Sequence, residues 1–214
     1  DGWYHYGKST KVTYKAYKIG DEITYNGINF YVIENSDENS DSVTLLKREP
    51  LKKGEVDLSS TEIVNKVSYD DNNYLKMAYY SKDTCVTAGD AGCTTDYNSS
   101  NIKQAVDVWS NSKLKSSDLK EDKTGYSARL ITYNELIDNL GYGDNGQGTI
   151  TMSQNGETPS WVYNSNSFYW TMSQYEDSTS YVWIVYNDGL VYGISVDHND
   201  GFVRPVITLL KSAI

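Results

Sequence analysis

Cysteine, histidine, proline and phenylalanine are scarce in this chain of 214 residues, with 2, 2, 3 and 3 copies, and no cysteine follows Cys93. A Ser-His-Asp arrangement would have to use His5 or His198, and neither stands in a motif that supplies a nucleophile. Long apolar runs are missing too. With 38% apolar residues and a mean hydropathy of -0.59, no stretch approaches the roughly 18 apolar residues of a membrane-spanning helix. Cationic side chains are outnumbered, 19 Lys and Arg against 29 Asp and Glu, for a formal net charge of -10. Phosphate backbones and anionic lipid surfaces are repelled by that balance, which argues against nucleic acid and direct membrane insertion. The adjacent carboxylates Glu176 and Asp177 would point apart on a strand and suit a solvated turn better than an acid and base pair. The reading is a non-enzyme, with no catalytic residue, cofactor or metal ligand assigned.

Tyrosine is abundant, 20 copies against 3 Phe. Its ring offers a large, stiff, amphipathic contact at low entropic cost, which suits binding surfaces as well as sheets. The length fits one domain over 1-214, with 1-18 a tail or lead-in. Cys85 and Cys93 bound a polar, glycine-containing turn with no histidine nearby, so a disulfide is expected. That places the protein outside a cell or on its surface, with a leader or anchor removed ahead of Asp1.

Along the chain, Lys11 to Lys18 alternates, and Glu22 to Ile33 alternates around Asn26-Gly27, the strongest short-range hairpin signal. A buried-type strand follows at VTLLK, residues 43-47. Ser59 and Glu62 have capping-box spacing for a short helix through Val67, and Ser99 or Ser100 caps a second with Ile102, Ala105, Val106 and Trp109 on one face. The stretch from Ser127 to Gly143 reads as strand, capped helix and stop: Thr132 and Glu135 form a capping box, Leu136, Ile137 and Leu140 the apolar face, and Gly141 the left-handed cap. A loop rich in Gly, Asn and Gln runs from Asp144 to Gly156.

The last quarter, Tyr169 to Leu209, organises the rest. Lys, Glu, Gln, Met and Trp are all missing from Ile184 to Phe202. Against ordinary composition, a gap of that size has a chance of roughly 2%. Every residue type present there is reachable by substituting the adenines of AAC or AAT codons, and the five missing types are not. Trp183 and Val185 are expected in the frame, because alternation along a strand buries them. Asn187-Asp188-Gly189 marks a turn, and Asp197 to Asp200 a loop. The facing of Ile184, Tyr186, Leu190, Tyr192, Ile194 and Phe202 depends on the turn length, and the reading places most of them at the surface. Arg204, between apolar neighbours, requires a buried carboxylate or carbonyl partners.

RLITYNEL at Arg129 to Leu136 resembles the RLPTEAEW signature of the formylglycine-generating-enzyme branch of the C-type lectin fold, with Ile131 in place of proline. Val182-Trp183 resembles the VWEW element of that branch, and GFVRP, residues 201-205, its closing GFR. Those enzymes use cysteines near the C-terminal core, which this chain lacks, so their activity is not implied. Only Tyr186-Asn187-Asp188 is faintly similar to the WND element of calcium-dependent lectins, and no calcium site is implied either. More closely, the run from YWTMSQ at Tyr169 through Val182-Trp183 and Asp188-Gly189 to VRPVITL resembles the variable proteins of bacterial diversity-generating retroelements. In that group adenine-directed mutagenesis varies a C-terminal ligand-binding face while the scaffold stays fixed.

The resemblance implies an α+β, C-type lectin-like fold with a small mixed or antiparallel sheet, about two short helices and long loops. It also implies a variable segment over 181-202 that binds an external protein or glycan. The expected contacts are Tyr181, Ile184, Tyr186, Asn187, Asp188, Leu190, Tyr192, Ile194, Asp197, His198, Asn199, Asp200 and Phe202. The alternative is an invariant structural or pilus-tip module of a bacterial surface, whose tyrosine-rich strands pack on a neighbouring subunit.

Overall fold

The computed structural model describes residues 11-58, 67-82, 84-144, 150-152, 158-163 and 166-214. The chain starts with a hairpin, β1 (Glu22–Tyr25) and β2 (Ile28–Val32), closed by Asn26 at φ 49° and Gly27 at φ 75°. Two positive φ values in a row match the right-handed twist of the flanking strands, which is why Asn-Gly is favoured there. Next come β3 (Ser42–Lys47), β4 (Val67–Tyr69) and β5 (Leu75–Met77), then helix α1 (Asn101–Lys113). The second half holds β6 (Ala128–Arg129), α2 (Tyr133–Asp138), β7 (Tyr142–Asp144), β8 (Ile150–Met152), α3 (Ser160–Tyr163) and β9 (Tyr169–Gln174). It closes with β10 (Tyr181–Val185), β11 (Val191–Ser195), β12 (Gly201–Phe202) and β13 (Val206–Leu210).

These strands make two sheets in an α+β arrangement. One is antiparallel, in the order β1-β2-β3-β13-β6; the other is mixed, in the order β4-β5-β12-β9-β10-β11-β8-β7, with β12 and β9 parallel. The late strand β13 lies between β3 and β6, so chain distant in sequence closes the first sheet. The second sheet carries the β9-β10-β11 meander, and its two faces belong to different apolar clusters. Val182 and Ile184 join the cluster built on Trp109, Trp170 and Phe30, whereas Trp183 and Val185 join that of Tyr169, Leu136 and Phe202.

Two of the three expected caps form, and the third, Ser59 with Glu62, lies outside the described residues. The Ser100 hydroxyl accepts from Lys103 N at the start of α1, and Ile102, Ala105, Val106 and Trp109 are fully buried beneath it. Thr132 and Glu135 make the capping box of α2, and Gly141 takes a positive φ of 77° beyond its end. Glu135 also neutralises a buried cation. Its carboxylate accepts two bonds from the Arg129 guanidinium, at 2.6 and 2.8 Å, and Asp122 accepts two more, at 2.6 and 2.9 Å. Pairing of this kind offsets the cost of burying the charge. Cys85 and Cys93 form the expected disulfide, with Cα atoms 4.7 Å apart.

The sheets are larger than the small one expected, and there are three α-helices among the described residues. The alternation from Lys11 to Lys18 forms no strand among the described residues. Only Tyr17 bridges, to Ser36, and the side chains from 11 to 16 lie largely in solvent. Val67, expected to end a helix, begins β4, and the rest of that helix, 59-66, lies outside the described residues. So do residues 1-10 of the lead-in, and 145-149 and 153-156 of the Gly, Asn and Gln-rich loop.

Candidate ligand-binding surface

The β10-β11 hairpin pairs Val182 with Ile194, Ile184 with Tyr192 and Val185 with Val191. Three residues, Asn187 to Gly189, close it: Tyr186 N bonds Leu190 O at 2.8 Å, Leu190 N bonds the Asp188 carboxylate at 3.0 Å, and Gly189 takes φ 89°. A three-residue loop ending on a left-handed glycine is a standard hairpin solution. It settles the facing that the sequence left open, because directly opposed residues share a face.

Tyr186, Leu190, Tyr192 and Ile194 therefore stand on the same face as Val182 and Ile184. They are half-buried, and the Tyr186 and Tyr192 rings lie 5.7 Å apart. Burial raises the Tyr192 phenol pKa, reinforced by Tyr186, Asp188 and Asp200. Asn187 and Asp188 are exposed at the turn. In the loop after β11, His198 and Asn199 are exposed and Asp197 and Asp200 are half-buried. His198 Nδ1 sits 3.7 Å from Asp200 Oδ1, and the Ser195 hydroxyl bonds the Asp197 carboxylate.

Two expected contacts are corrected. Ile184 is 0% exposed and Phe202 1%. Ile184 lies on the inner strand of the hairpin, with β9 on one side and β11 on the other, and packs in the cluster with Trp170 and Phe168. Phe202 sits on β12 between β5 and β9, with Tyr74 edge-on at 5.7 Å. Both hold the frame. Tyr181, 43% exposed, does reach solvent, but on the opposite face of the sheet from Tyr192, so the thirteen expected contacts do not share one surface.

On that opposite face Trp183 is held between Tyr133, at 4.6 Å, and Tyr175, at 4.4 Å. A Cβ on Gly193 would overlap the Tyr175 ring, so β11 is bare of side chain where the ring crosses it. Tyr175, Glu176, Asp177 and Ser178 line a shallow cleft with Tyr181 and Gly193. Sequence reasoning placed Glu176 and Asp177 in a turn, as observed, but missed Tyr175. The signal available was the pairing of an isolated strand glycine with a nearby aromatic residue.

The disulfide-closed turn is a neighbour of this region. A Cβ on Gly89 would lie 3.7 Å from the Ser180 hydroxyl, and Val196 N bonds Ser180 O at 3.0 Å. From Tyr175 to Val203 the chain carries Glu176, Asp177, Asp188, Asp197 and Asp200 and no Lys or Arg, so both faces of the hairpin present negative charge. Among the described residues no group of three His, Cys, Asp or Glu side chains is placed to hold a metal ion. Compared with known protein families, curated proteins and solved structures, the chain matches none.

Proposed function

We propose that this protein is a non-catalytic binder of an external protein or glycan, with a C-type lectin-like scaffold that displays a diversifiable C-terminal segment as the variable proteins of bacterial diversity-generating retroelements do. The observation that carries the reading is the division of labour within 181-202. Val182, Trp183, Val185 and Val191 are sealed in the frame, while eleven of the thirteen expected contacts, all but Ile184 and Phe202, keep solvent exposure. Half-buried Tyr186, Leu190, Tyr192 and Ile194 supply the dry centre, and Asn187, Asp188, Asp197, His198, Asn199 and Asp200 the polar rim. The closure of the first sheet by β13, the capped α2 beside Arg129 and the placing of Trp183 beneath the hairpin support a lectin-like frame. The disulfide is compatible with an extracellular or cell-surface setting.

The adjacent DNA tests it. The expected result is a template repeat beside a reverse-transcriptase gene, near-identical to the codons for 181-202 and differing at adenines. Finding that this segment has no such repeat anywhere in the source genome sinks diversification and favours the invariant structural module. Binding is tested separately, by panning a library randomised at the exposed positions and asking whether folded variants acquire distinct ligands.

A further inference from the structure

A second concave feature lies away from the hairpin. A cleft of about 340 Å³ opens between the segment after β3, the β4-β5 turn and α3, lined chiefly by Tyr31, Arg48, Glu49, Asn72, Tyr74 and Trp161, and no residue of 181-202 lines it. Its walls are joined from beneath by Arg204, which is 2% exposed. The guanidinium donates to the carbonyls of Lys47 (2.8 Å) and Arg48 (3.0 Å) on one wall and of Trp161 (2.8 Å) and Val162 (2.7 Å) on the other. The Tyr169 hydroxyl adds a bond to Val162 O at 2.6 Å. A buried cation without a carboxylate is a costly fastening, retained here where it fixes the end of β3 and α3 at a set separation. The cleft is thereby organised before any ligand arrives.

Its chemistry is specific. Tyr31 and Trp161 stack at 4.6 Å with an interplanar angle of 22°, and Tyr74 contributes a third ring. The charges are matched in pairs, Arg48 with Glu22 at 3.4 Å and Glu49 with Lys52 at 2.5 Å, so no net ionic partner is demanded. Lys52 holds the Glu49 carboxyl below its ordinary range, leaving it an acceptor. The exposed carboxamides of Asn72 and Asn166 add in-plane donors and acceptors. Rings beside a dense set of planar hydrogen-bonding groups suit a ligand with a flat C–H face and a girdle of hydroxyls, each both donor and acceptor. The volume is at the small end for ligand pockets. We propose that this cleft binds one or two rings of a neutral hexopyranose, at a site separate from the hairpin and whether or not the hairpin binds anything.

The test is a titration of the intact protein, followed by its indole and carboxamide N–H signals, with the methyl glycosides of glucose, galactose, mannose and N-acetylglucosamine and their β-linked disaccharides, up to tens of millimolar. Loss of one indole signal in Trp161→Phe assigns the reporter. The expected result is a saturable shift of the Trp161 indole and of the Asn72 or Asn166 carboxamide with at least one sugar. Tyr74→Ala or Asn72→Ala should weaken it at least tenfold, and Asn111→Ala, exposed on α1 and outside both surfaces, should leave it unchanged. Asn72 is exposed, so its variant reports even if Tyr74→Ala fails to fold. No saturable shift with any of these sugars, or shifts confined to 181-202, would each overturn the proposal.

Discussion

The ring of Tyr175 lies where any side chain on Gly193 would have to go. Gly193→Ala should therefore lower stability by about 1-3 kcal/mol through overpacking, read as a fall in the urea midpoint with an unchanged slope. Tyr175→Ala combined with it should recover part of the loss, since the clash is then gone. Under the proposed diversification, variants of the segment should keep Gly193 while Tyr192 and Ile194, on either side, change. An unaltered midpoint in Gly193→Ala would show that the ring moves aside freely.

Ile184 and Tyr192 are directly paired across the hairpin yet belong to different classes, one sealed and one half-exposed. Ile184→Ala and Phe202→Ala should each cost about 2-5 kcal/mol. Tyr186→Ala and Tyr192→Ala should each cost about 1 kcal/mol or less and leave cooperative unfolding intact. Thermal melts of the four variants decide it, and a collapse in either tyrosine variant would place the proposed binding face inside the frame.

Replacing Arg204 removes one donor from each of four carbonyls at once, while Val162 O retains the Tyr169 hydroxyl. Arg204→Met should destabilise the fold by about 3-5 kcal/mol. Arg204→Lys should recover little of it, because an ammonium cannot reproduce the forked geometry. Denaturant unfolding of both variants is the measurement, and a well-tolerated lysine would mean that charge rather than geometry holds the two walls.

Four tyrosines are expected to resist ionisation. Burial raises the phenols of Tyr79, Tyr97 and Tyr142, and pushes Tyr169 up to about 12 despite the opposing Arg204 guanidinium. Folded values above the ordinary 10.0 mean that the folded chain holds protons which the unfolded chain gives up. Their contribution is intact below pH 10 and falls away as pH rises through the folded values. Tyrosinate absorbance should climb in two steps, the second coinciding with loss of circular dichroism. A single smooth titration of all twenty would contradict the burial.

Local chemistry was legible in the sequence wherever one or two side chains decide the backbone. Asn26-Gly27, Ser100, the Thr132 and Glu135 pair and Gly141 each act within a turn of chain, and each does what its type dictates. The facing of the hairpin was not legible, because one residue more or less in the turn after Tyr186 inverts it. Phe202 was misplaced for a related reason: a two-residue strand has no period to read, and its burial comes from β5, β9 and Tyr74, all distant in sequence. The two sheets were underestimated because β4, β6, β7, β8 and β12 are two or three residues long and carry almost no alternation. Arg204 was legible as a buried cation needing partners, but that four carbonyls from two separate stretches would supply them was not.

β13 enters its sheet only after the hairpin has been made, since Val206 pairs with Leu46 across most of the chain. During synthesis the first three strands must wait, with the β3 edge unpaired, until residues 181-202 have left the ribosome. A hairpin sequence that cannot fold delays the closing strand and leaves that edge open to aggregation or proteolysis. Under the proposed function, chain order makes the protein its own inspector: only copies whose altered loop is compatible with the frame would reach the finished state.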